Sequence, residues 1–441
     1  MIRRLLTNTP PGTALRSLFA VGVLGAGCTH AAAEWHQWGG PTRDFKVQTT
    51  GLATQWPEDG PKKLWQRELG DGYSTIIADQ GVLYTMYRVE EDEFTIAVDA
   101  DSGKTLWQHK NASPSTQLMK QFGPGPHATP IIVGDKLYTI GTNAVLHCYD
   151  KKSGDVKWKH DLVAEFDAPI PGRGYGCSPL AYKNLLIVAV DRKREQESPE
   201  GDEQKEPEKP AKTRPQSLVA FDRTTGNVVW TAEDLPVSYA SPIIINFQSE
   251  DHLVFLMQND IVGLDPDTGD RLWHLDLEPE GANISTPVWN GTDLLFCSSA
   301  YDSGARVIRL AKKGDKTLPE QLWYSRKMRV HHGNVIRLGD YVYGSSGDFG
   351  PAFFMGVEMR TGKIAWRERG FKKANCLYGD GKMILLDEDG DLALTTVTPQ
   401  GLTVHSRTKI AEPYAWAAPT LVGTTLYVRD RKHMMAFDLS S

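Results

Sequence analysis

The chain has 441 residues, of which 40% are hydrophobic and 24% are charged, and its formal net charge at pH 7 is -6. A chain of this length could hold about two or three ordinary domains. The acidic balance carries no electrostatic footprint for nucleic acid, so we expect no nucleic-acid partner.

Residues 1–33 have the pattern of a secretory signal peptide. Basic residues precede the apolar run "LFAVGVLGAG", and "AAA" follows it. The apolar run is too short to span a bilayer, so we expect an exported, periplasmic protein without a transmembrane span. Cleavage after Ala33 is one interpretation. A lipoprotein anchored through Cys28 is the other, although the leucine of "LGAGC" stands one residue too far from the cysteine for the usual lipoprotein signal.

A hairpin motif recurs along the chain. The segment "IAVDADSGKTLW" places Asp99, Gly103 and Trp107 at steps of four. The Asp side chain can accept hydrogen bonds from the next backbone amides, and Gly supplies the positive φ of a short hairpin. The partner strand then carries the tryptophan. The further members are Asp150, Gly154 and Trp158; Asp222, Gly226 and Trp230; Asp265, Gly269 and Trp273; and Gly362 with Trp366.

The spacing of the motif predicts an all-β fold, an eight-bladed β-propeller. Most consecutive tryptophans of the motif lie about 40 to 50 residues apart, the period of one four-stranded antiparallel blade. The eighth unit ends at "HMMAFDLSS" without its tryptophan strand. We expect the N-terminal strand "KKLWQREL" around Trp65 to complete the last blade, since ring closure removes exposed sheet edges. The repeated tryptophan is interpreted as packing between neighbouring blades.

The same pattern divides the chain into segments. The signal peptide at 1–33 is followed by an N-terminal extension at 34–60 and by the propeller at 61–441. Within the propeller, residues 192–215 carry balanced charges and no apolar side chain larger than Ala or Pro. Such a segment cannot bury enough surface to offset its ordering entropy, so we interpret it as a disordered insertion.

Residues just before the first strand of each blade form a candidate site. The first strand of a propeller blade is innermost, so these residues should converge at one end of the central channel. They offer stacking faces, imidazoles and amides to a planar polar ligand. Alternatively, they only cap strands and fill the channel mouth. The candidate ligand-binding residues are Tyr73, His127, Tyr175, Tyr239, Asn283, His331, His332, Asn375 and Trp416.

No metal site is expected from this ring. It contains no Asp or Glu, and the nearest carboxylates in sequence are Asp71 and Glu412. His331 and His332 are adjacent, so on a strand they would point to opposite faces and could not ligate one metal together without a bend. The pairing of the cysteines beyond the signal peptide cannot be deduced from sequence. They are Cys148, Cys177, Cys297 and Cys376.

The repeat A-x-D-x-x-[ST]-G-x-x-x-W resembles the tryptophan-docking motif of the pyrroloquinoline quinone (PQQ)-like repeat family. That family includes quinoprotein alcohol dehydrogenases and the outer-membrane assembly lipoprotein BamB. The opening "WHQWGGPTRD" and the segments "FGPGPHATP", "YGCSPL" and "HHGNV" resemble a secreted bacterial subfamily of PQQ-binding-like propellers. The resemblance covers essentially all of Trp35 to Leu439. It implies the fold, but two functions remain open because such repeats also build propellers that bind no quinone.

The first function implied is a noncatalytic, BamB-like binding or scaffold protein of the cell envelope, with an envelope protein or a small molecule as its ligand. The second is a quinoprotein-like oxidoreductase that binds PQQ with Ca²⁺ at the channel mouth and oxidises alcohols or sugars. By resemblance, the second needs oxygen ligands, an Asp base and often two adjacent cysteines. This chain has no adjacent cysteines, and only Asn283 and Asn375 offer amide oxygens in the ring. We therefore favour the first function. We also expect the protein to be a monomer.

Overall fold

The computed structural model describes residues 34–190, 216–278, 281–301, 303–348 and 351–440. The predicted signal peptide and the predicted disordered insertion at 192–215 lie outside the described residues. Within these ranges the chain is almost entirely β structure, with one short helix, α1 (Leu162–Phe166). Asp161 caps this helix by accepting hydrogen bonds from Val163 N and Ala164 N, both at 3.1 Å. No helix in the described ranges is long and apolar enough to cross a membrane.

Two strands precede the first complete blade, and each of the first four blades is a sheet of four consecutive strands. The two preceding strands are β1 (Lys46–Val47) and β2 (Lys62–Glu68). Blade 1 contains β3 (Ile77–Asp79), β4 (Val82–Val89), β5 (Asp92–Asp99) and β6 (Thr105–Ala112); blade 2 contains β7 (Ile131–Val133), β8 (Lys136–Ile140), β9 (Val145–Asp150) and β10 (Val156–Asp161). Blade 3 contains β11 (Leu180–Tyr182), β12 (Leu185–Ala189), β13 (Leu218–Asp222) and β14 (Val228–Ala232); blade 4 contains β15 (Ile243–Phe247), β16 (Glu250–Leu256), β17 (Asp260–Leu264) and β18 (Arg271–Asp276).

The remaining blades follow the same order, except that blade 7 gains β1 and blade 8 borrows β2. Blade 5 contains β19 (Val288–Trp289), β20 (Leu294–Ser299), β21 (Gly304–Lys313) and β22 (Lys316–Ser325); blade 6 contains β23 (Val335–Leu338), β24 (Tyr341–Ser346), β25 (Phe353–Glu358) and β26 (Ile364–Glu368). Blade 7 contains β27 (Ala374–Gly379), β28 (Lys382–Asp387), β29 (Asp391–Thr398) and β30 (Gly401–Lys409); blade 8 contains β31 (Thr420–Val422), β32 (Thr425–Arg429) and β33 (His433–Asp438).

Blade 8 is completed by a strand from the other end of the chain. β2 pairs antiparallel with β33, from Lys62 opposite Asp438 to Glu68 opposite His433. The first strands of blades 1 and 8, β3 and β31, contact each other at the channel. The predicted eight-bladed ring and its N-terminal closure are therefore confirmed.

The Asp-Gly turns form the expected hydrogen bonds. In blade 2, Asp150 Oδ1 accepts from Lys152 N and Ser153 N at 3.1 and 3.2 Å, and Gly154 has a φ of 77°. In blade 3, Asp222 accepts the equivalent two amide bonds at 2.9 and 2.8 Å. These local bonds satisfy backbone amides that the hairpin leaves unpaired, which explains why the motif is so regular.

Most of the repeated tryptophans dock on the turn of the next blade. Trp107 Nε1 donates to Lys151 O at 2.9 Å, and its ring lies against Gly154, where a Cβ atom would come within 2.6 Å of it. Trp65 Nε1 donates to Ala100 O at 2.9 Å, which links blade 8 to blade 1. The interpretation as packing between neighbouring blades is confirmed. Trp158, Trp230, Trp323 and Trp366 donate in the same way to the carbonyl oxygens of Arg223, Pro266, Met359 and Thr398.

Trp273 of blade 4 departs from this arrangement. Its Nε1 donates to His252 Nδ1 in the same blade at 2.9 Å. The following blade turns between β21 and β22 through "KKGDK", so it has no Asp-Gly turn to receive the indole. The ring still packs between blades 4 and 5, in one apolar cluster with Leu295 and Ile308. Only its hydrogen bond differs from that of the other members.

Residues 34–47 lie inside the channel. Trp35 is fully buried and forms an isolated bridge with Ala78 of β3. Trp38 Nε1 donates to Thr286 Oγ1, just before β19, at 2.8 Å. β1 then pairs in parallel with β27 of blade 7. The segment therefore crosses the channel and ties together blades that are distant around the ring.

Candidate functional site at the channel mouth

The residues before the first strands gather at one end of the channel, which we call the mouth. Backbone hydrogen bonds hold neighbouring members together, with Tyr73 N donating to Pro126 O at 2.8 Å and Tyr239 N to Asn283 O at 3.1 Å. Antiparallel neighbours run in opposite directions, so the turns between second and third strands reach this same end. The mouth is therefore built from two sets of loops.

Aromatic and imidazole rings form a continuous row across the mouth. Tyr73 stacks between His127 and Trp416, with ring centroids 5.2 and 5.1 Å apart. The centroid of His332 lies 4.9 Å from that of Trp416 and 5.3 Å from that of His331. Five of the nine predicted site residues thus share one surface. We call this set the mouth row, and its order is His127, Tyr73, Trp416, His332, His331 and Tyr301.

Glu388 and Lys373 adjoin the mouth row, and sequence reasoning missed both. Glu388 Oε2 accepts from Trp416 Nε1 at 3.1 Å, lies 3.0 Å from Lys373 Nζ and approaches His332 Nε2 to 3.5 Å. The positions before the first strands contain no carboxylate, as the sequence shows, but Glu388 comes from the turn after β28. The signal was available in that turn, "DEDGD", because second-to-third-strand turns reach the mouth.

The mouth holds a carboxylate beside neutral imidazoles. Burial alone would raise the pKa of Glu388, but the nearby His332 and Lys373 stabilise the carboxylate, outweigh burial and hold the pKa at about 2. Burial lowers the pKa of His127 to about 4 and that of His331 to about 3. The pKa of His332 is also lowered by burial. These three imidazoles are therefore uncharged at neutral pH.

The condition under which His331 and His332 would point to opposite faces is not met, because they do not lie on a strand. They precede β23 in a bend, and alternation of side chains requires an extended strand. Their rings meet at an interplanar angle of 79°. His331 Nε2 shares a hydrogen bond of 2.8 Å with the Tyr301 hydroxyl, while His331 Nδ1 and both His332 ring nitrogens are buried without a hydrogen bond within the described ranges.

The other predicted residues form walls and supports. Tyr175, Tyr239 and Asn283 line a cavity of about 520 Å³ beside the mouth row, which we call the mouth cavity. Asn283 itself is almost fully buried and donates to Met257 O at 2.6 Å. Asn375 is fully buried and donates to Trp416 O at 2.9 Å, so it positions a member of the mouth row.

The charges of the mouth favour an anion. Lys373 is balanced by Glu388, and Arg431 is paired with Asp71 through its Nε. Arg173 lies over the Phe122 ring, 5.7 Å from its centroid, and has no ion-pair partner in the part of the chain that the structure describes. Its positive charge contributes to the lowered pKa values of His127 and His331.

A family model described as outer membrane protein assembly factor BamB matches residues 92–368, which is more than half of the chain. The chain belongs to the BamB family. The matched range runs from the start of β5 to the end of β26 and so includes blades 2 to 6 in full.

Solved structures of two functional classes share the fold of this BamB-family chain. BamB from Moraxella catarrhalis superposes with a TM-score of 0.59 at 15% identity, covering 86% of this chain and 97% of that chain. Quinohemoprotein alcohol dehydrogenase from Comamonas testosteroni gives 0.61 at 12% identity, covering 92% and 80%. The quinohemoprotein alcohol dehydrogenase ADHIIG from Pseudomonas putida HK5 gives 0.63 at 12% identity, with the same coverage. Identities this low show the fold alone.

A curated relative matches over a short stretch. Methanol dehydrogenase [cytochrome c] subunit 1 of Paracoccus denitrificans is 26% identical over 105 residues, which are 22% of this chain and 17% of that protein. Because so little of the relative's length is spanned, its activity does not carry over to this BamB-family chain.

The described mouth residues do not fit PQQ with Ca²⁺. Ca²⁺ takes roughly six to eight oxygen ligands. Glu388 already accepts from Trp416 and pairs with Lys373, so a cation bound there would face an ammonium group. Asp71 is paired with Arg431 in the same way. Asn375 Oδ1 is a buried oxygen without a partner among the described residues, and a single amide oxygen does not make a calcium site.

The four cysteines beyond the signal peptide are buried, and each is a free thiol, so no disulfide joins them. Burial raises the pKa of Cys177 and of Cys297 to about 12, which keeps both thiols protonated. Cys177 lines the mouth cavity. Its thiol therefore contributes an apolar, unreactive surface there and no nucleophile.

Proposed function

We propose that this BamB-family propeller is a noncatalytic binding protein of the cell envelope that takes its ligand at the channel mouth. The observation that carries the proposal is the mouth row, a continuous row of packed aromatic and imidazole rings that ends at Tyr301 in the wall of a cavity of about 520 Å³. Concave sites lined by aromatic residues with a few polar groups are typical of ligand-binding sites. The exposed Tyr301 side chain, at 45%, gives the row an accessible end.

The ligand is a planar or extended group with negative charge, from a small molecule or from a partner protein. The rings of Tyr239 and Tyr301, which line the mouth cavity, favour flat groups. Arg173, without an ion-pair partner within the described ranges, favours a carboxylate or phosphate. The neutral imidazoles of His127 and His331 add hydrogen-bonding groups without adding charge.

A noncatalytic function is supported by how the polar groups are engaged. Glu388 accepts from Trp416 and pairs with Lys373, and the N-terminal segment 34–47 occupies the channel below the mouth. Binding then takes place on the mouth surface, while the charged groups maintain the shape of the row. The family description as an assembly factor agrees with such a protein.

Site-specific photocrosslinking tests the proposal. A photoreactive phenylalanine at Tyr301, which lines the mouth cavity, should give discrete adducts in envelope preparations. Val404 is the matched control, because it is 46% exposed but lies on the outermost strand of blade 7. The adducts should disappear when Trp416 is replaced by alanine. Adducts of equal yield from both positions would contradict a mouth-specific ligand.

A quinoprotein-like oxidoreductase is the second candidate. It is favoured by His331 Nδ1, which is buried without a hydrogen-bond partner among the described residues and can accept a hydrogen bond from a substrate hydroxyl. Dye reduction should be measured with the purified protein, PQQ, Ca²⁺ and alcohols or sugars. Turnover that is lost in His331→Ala but kept in Val404→Ala would establish this candidate and overturn the noncatalytic proposal.

We also propose export to the periplasm. The proposal rests on the sequence of residues 1–33 and on the membership of the BamB family. Intact mass measurement of the protein from its native host distinguishes the two forms of processing. A chain that begins at Glu34 indicates simple cleavage, a chain that begins at a lipidated Cys28 indicates a lipoprotein, and an uncleaved chain in the cytoplasm contradicts export.

A further inference from the structure

Arg43 is buried in the channel among neutral acceptors. Its exposed fraction is 8%. Nε donates to Pro242 O and Nη1 to Pro179 O, both at 3.1 Å, and Nη1 also donates to Gln37 Oε1 at 3.2 Å. Nη2 is buried and has no hydrogen-bond partner among the described residues. One corner of the guanidinium is therefore unsatisfied.

The charge of Arg43 is also uncompensated. Asp44, the next residue, pairs with Lys46 at 2.7 Å instead. Within the described ranges no carboxylate lies within ion-pair distance of Arg43. The titratable group that acts on it is the Cys177 thiol, which is protonated and therefore uncharged at neutral pH. Burial lowers the pKa of Arg43 to about 10, so the guanidinium remains charged at neutral pH. A buried charge without a counter-ion is strongly unfavourable, and neutral carbonyls offset only part of that cost.

The loop that carries Arg43 is constrained to hold it there. Gly39 has a φ of 74°, and a Cβ atom at this position would lie 2.7 Å from the backbone carbon of Arg43. Trp38 anchors the loop by its hydrogen bond to Thr286. The quoted segment "WGGPTRD" therefore places one basic residue at a fixed depth in the channel.

A cavity of about 170 Å³ adjoins Arg43, and we call it the channel cavity. Its charged wall consists of Arg43, Lys46, Arg337 and Asp44, so three cations against one carboxylate leave an excess of two positive charges. The rest of the wall is largely apolar and includes Ile243, Ile244, Val288, Trp289 and Val335. An apolar cavity of about 150 Å³ takes up a benzene molecule, so about six non-hydrogen atoms can be held here.

We infer that the channel cavity is a second binding site, for a short-chain carboxylate. The carboxylate would lie beside the Arg43 guanidinium in a cavity with an excess of positive charge and would supply the missing negative charge, and its alkyl chain would contact the apolar wall. The site lies in the channel beside the N-terminal segment and is separate from the mouth row, so it does not depend on the proposed function of the mouth.

Isothermal titration calorimetry of the full chain tests the inference, with sodium acetate, butyrate and inorganic phosphate as probes at constant ionic strength. Butyrate should bind saturably with one site per chain and more tightly than acetate, because its alkyl chain buries more apolar surface. Arg43→Gln should weaken butyrate binding at least tenfold. Arg326→Gln is the matched control on the exposed surface and should leave binding unchanged. Trp416→Ala in the mouth row should also leave it unchanged, which separates this site from the mouth.

A second variant retains Arg43 in case Arg43→Gln destabilises the fold. Ile243→Ala shortens a side chain of the apolar wall, which enlarges the cavity, and should shift the preference from butyrate towards hexanoate. Absence of saturable binding by any carboxylate would overturn the inference. Tighter binding of phosphate than of butyrate would overturn the assignment to a carboxylate, and undiminished binding in folded Arg43→Gln would place the ligand elsewhere and overturn the site.

Discussion

Replacement of Gly154 by alanine perturbs a single blade-to-blade contact. Gly154 has a φ of 77°, and an added Cβ atom would lie 2.6 Å from Cε3 and 2.7 Å from Cδ2 of Trp107. A non-glycine residue in the left-handed region costs roughly 1–2 kcal/mol. Forcing an extra carbon into a packed contact adds roughly 1–3 kcal/mol. We therefore expect Gly154→Ala to lower the free energy of unfolding by about 2–5 kcal/mol.

The steric part of this cost can be isolated with a matched glycine. Gly134 lies in the same blade with a φ of 61°, and nothing lies within 4 Å of its added Cβ, so Gly134→Ala should cost only about 1–2 kcal/mol. Urea unfolding followed by circular dichroism measures both, from shifts of the midpoint at unchanged slope. In a Trp107→Ala background, Gly154→Ala should cost no more than Gly134→Ala. Equal costs of the two replacements in the unaltered chain would refute the docking argument.

Three further measurements test other parts of the structure. The free energy of unfolding should fall as the pH drops from 6.5 towards 4. The reason is that His127 has a pKa of about 4 in the folded protein, so over this range the unfolded chain binds a proton that the folded chain does not. Urea titrations at several pH values should show a shallower fall for His127→Gln. Trp65→Phe removes the hydrogen bond to Ala100 O that links blades 8 and 1, so the free energy of unfolding should decrease by about 1 kcal/mol, and an unchanged urea midpoint would argue against this link. In a chain that begins at Glu34 and so lacks Cys28, thiol-reactive dye should label the native protein slowly and the urea-unfolded protein rapidly. Rapid native labelling would contradict the burial of these four thiols: Cys148, Cys177, Cys297 and Cys376.

The residues of the mouth could be predicted only in part from the local sequence pattern. Five site residues follow from their position before first strands, and they form one continuous row: Tyr73, His127, His331, His332 and Trp416. Their arrangement was not predicted, since the bend at the two histidines is not a strand. Glu388 was missed because it belongs to a different set of loops, which reaches the mouth only through the return of an antiparallel strand.

The sequence by itself determined the blade, the number of blades and the closing strand. The reason is that Asp150, Gly154 and their equivalents act within one hairpin, where hydrogen bonds and φ angles depend only on near neighbours. The tertiary structure alone decided what surrounds each polar group across the ring. Glu388 pairs with Lys373 and accepts a hydrogen bond from Trp416. Arg43 lies between blades 3 and 4 without a counter-ion among the described residues. Both arrangements arise because chain segments far apart in sequence converge on the channel. Long-range burial and charge, which no repeat encodes, set the chemistry of both sites.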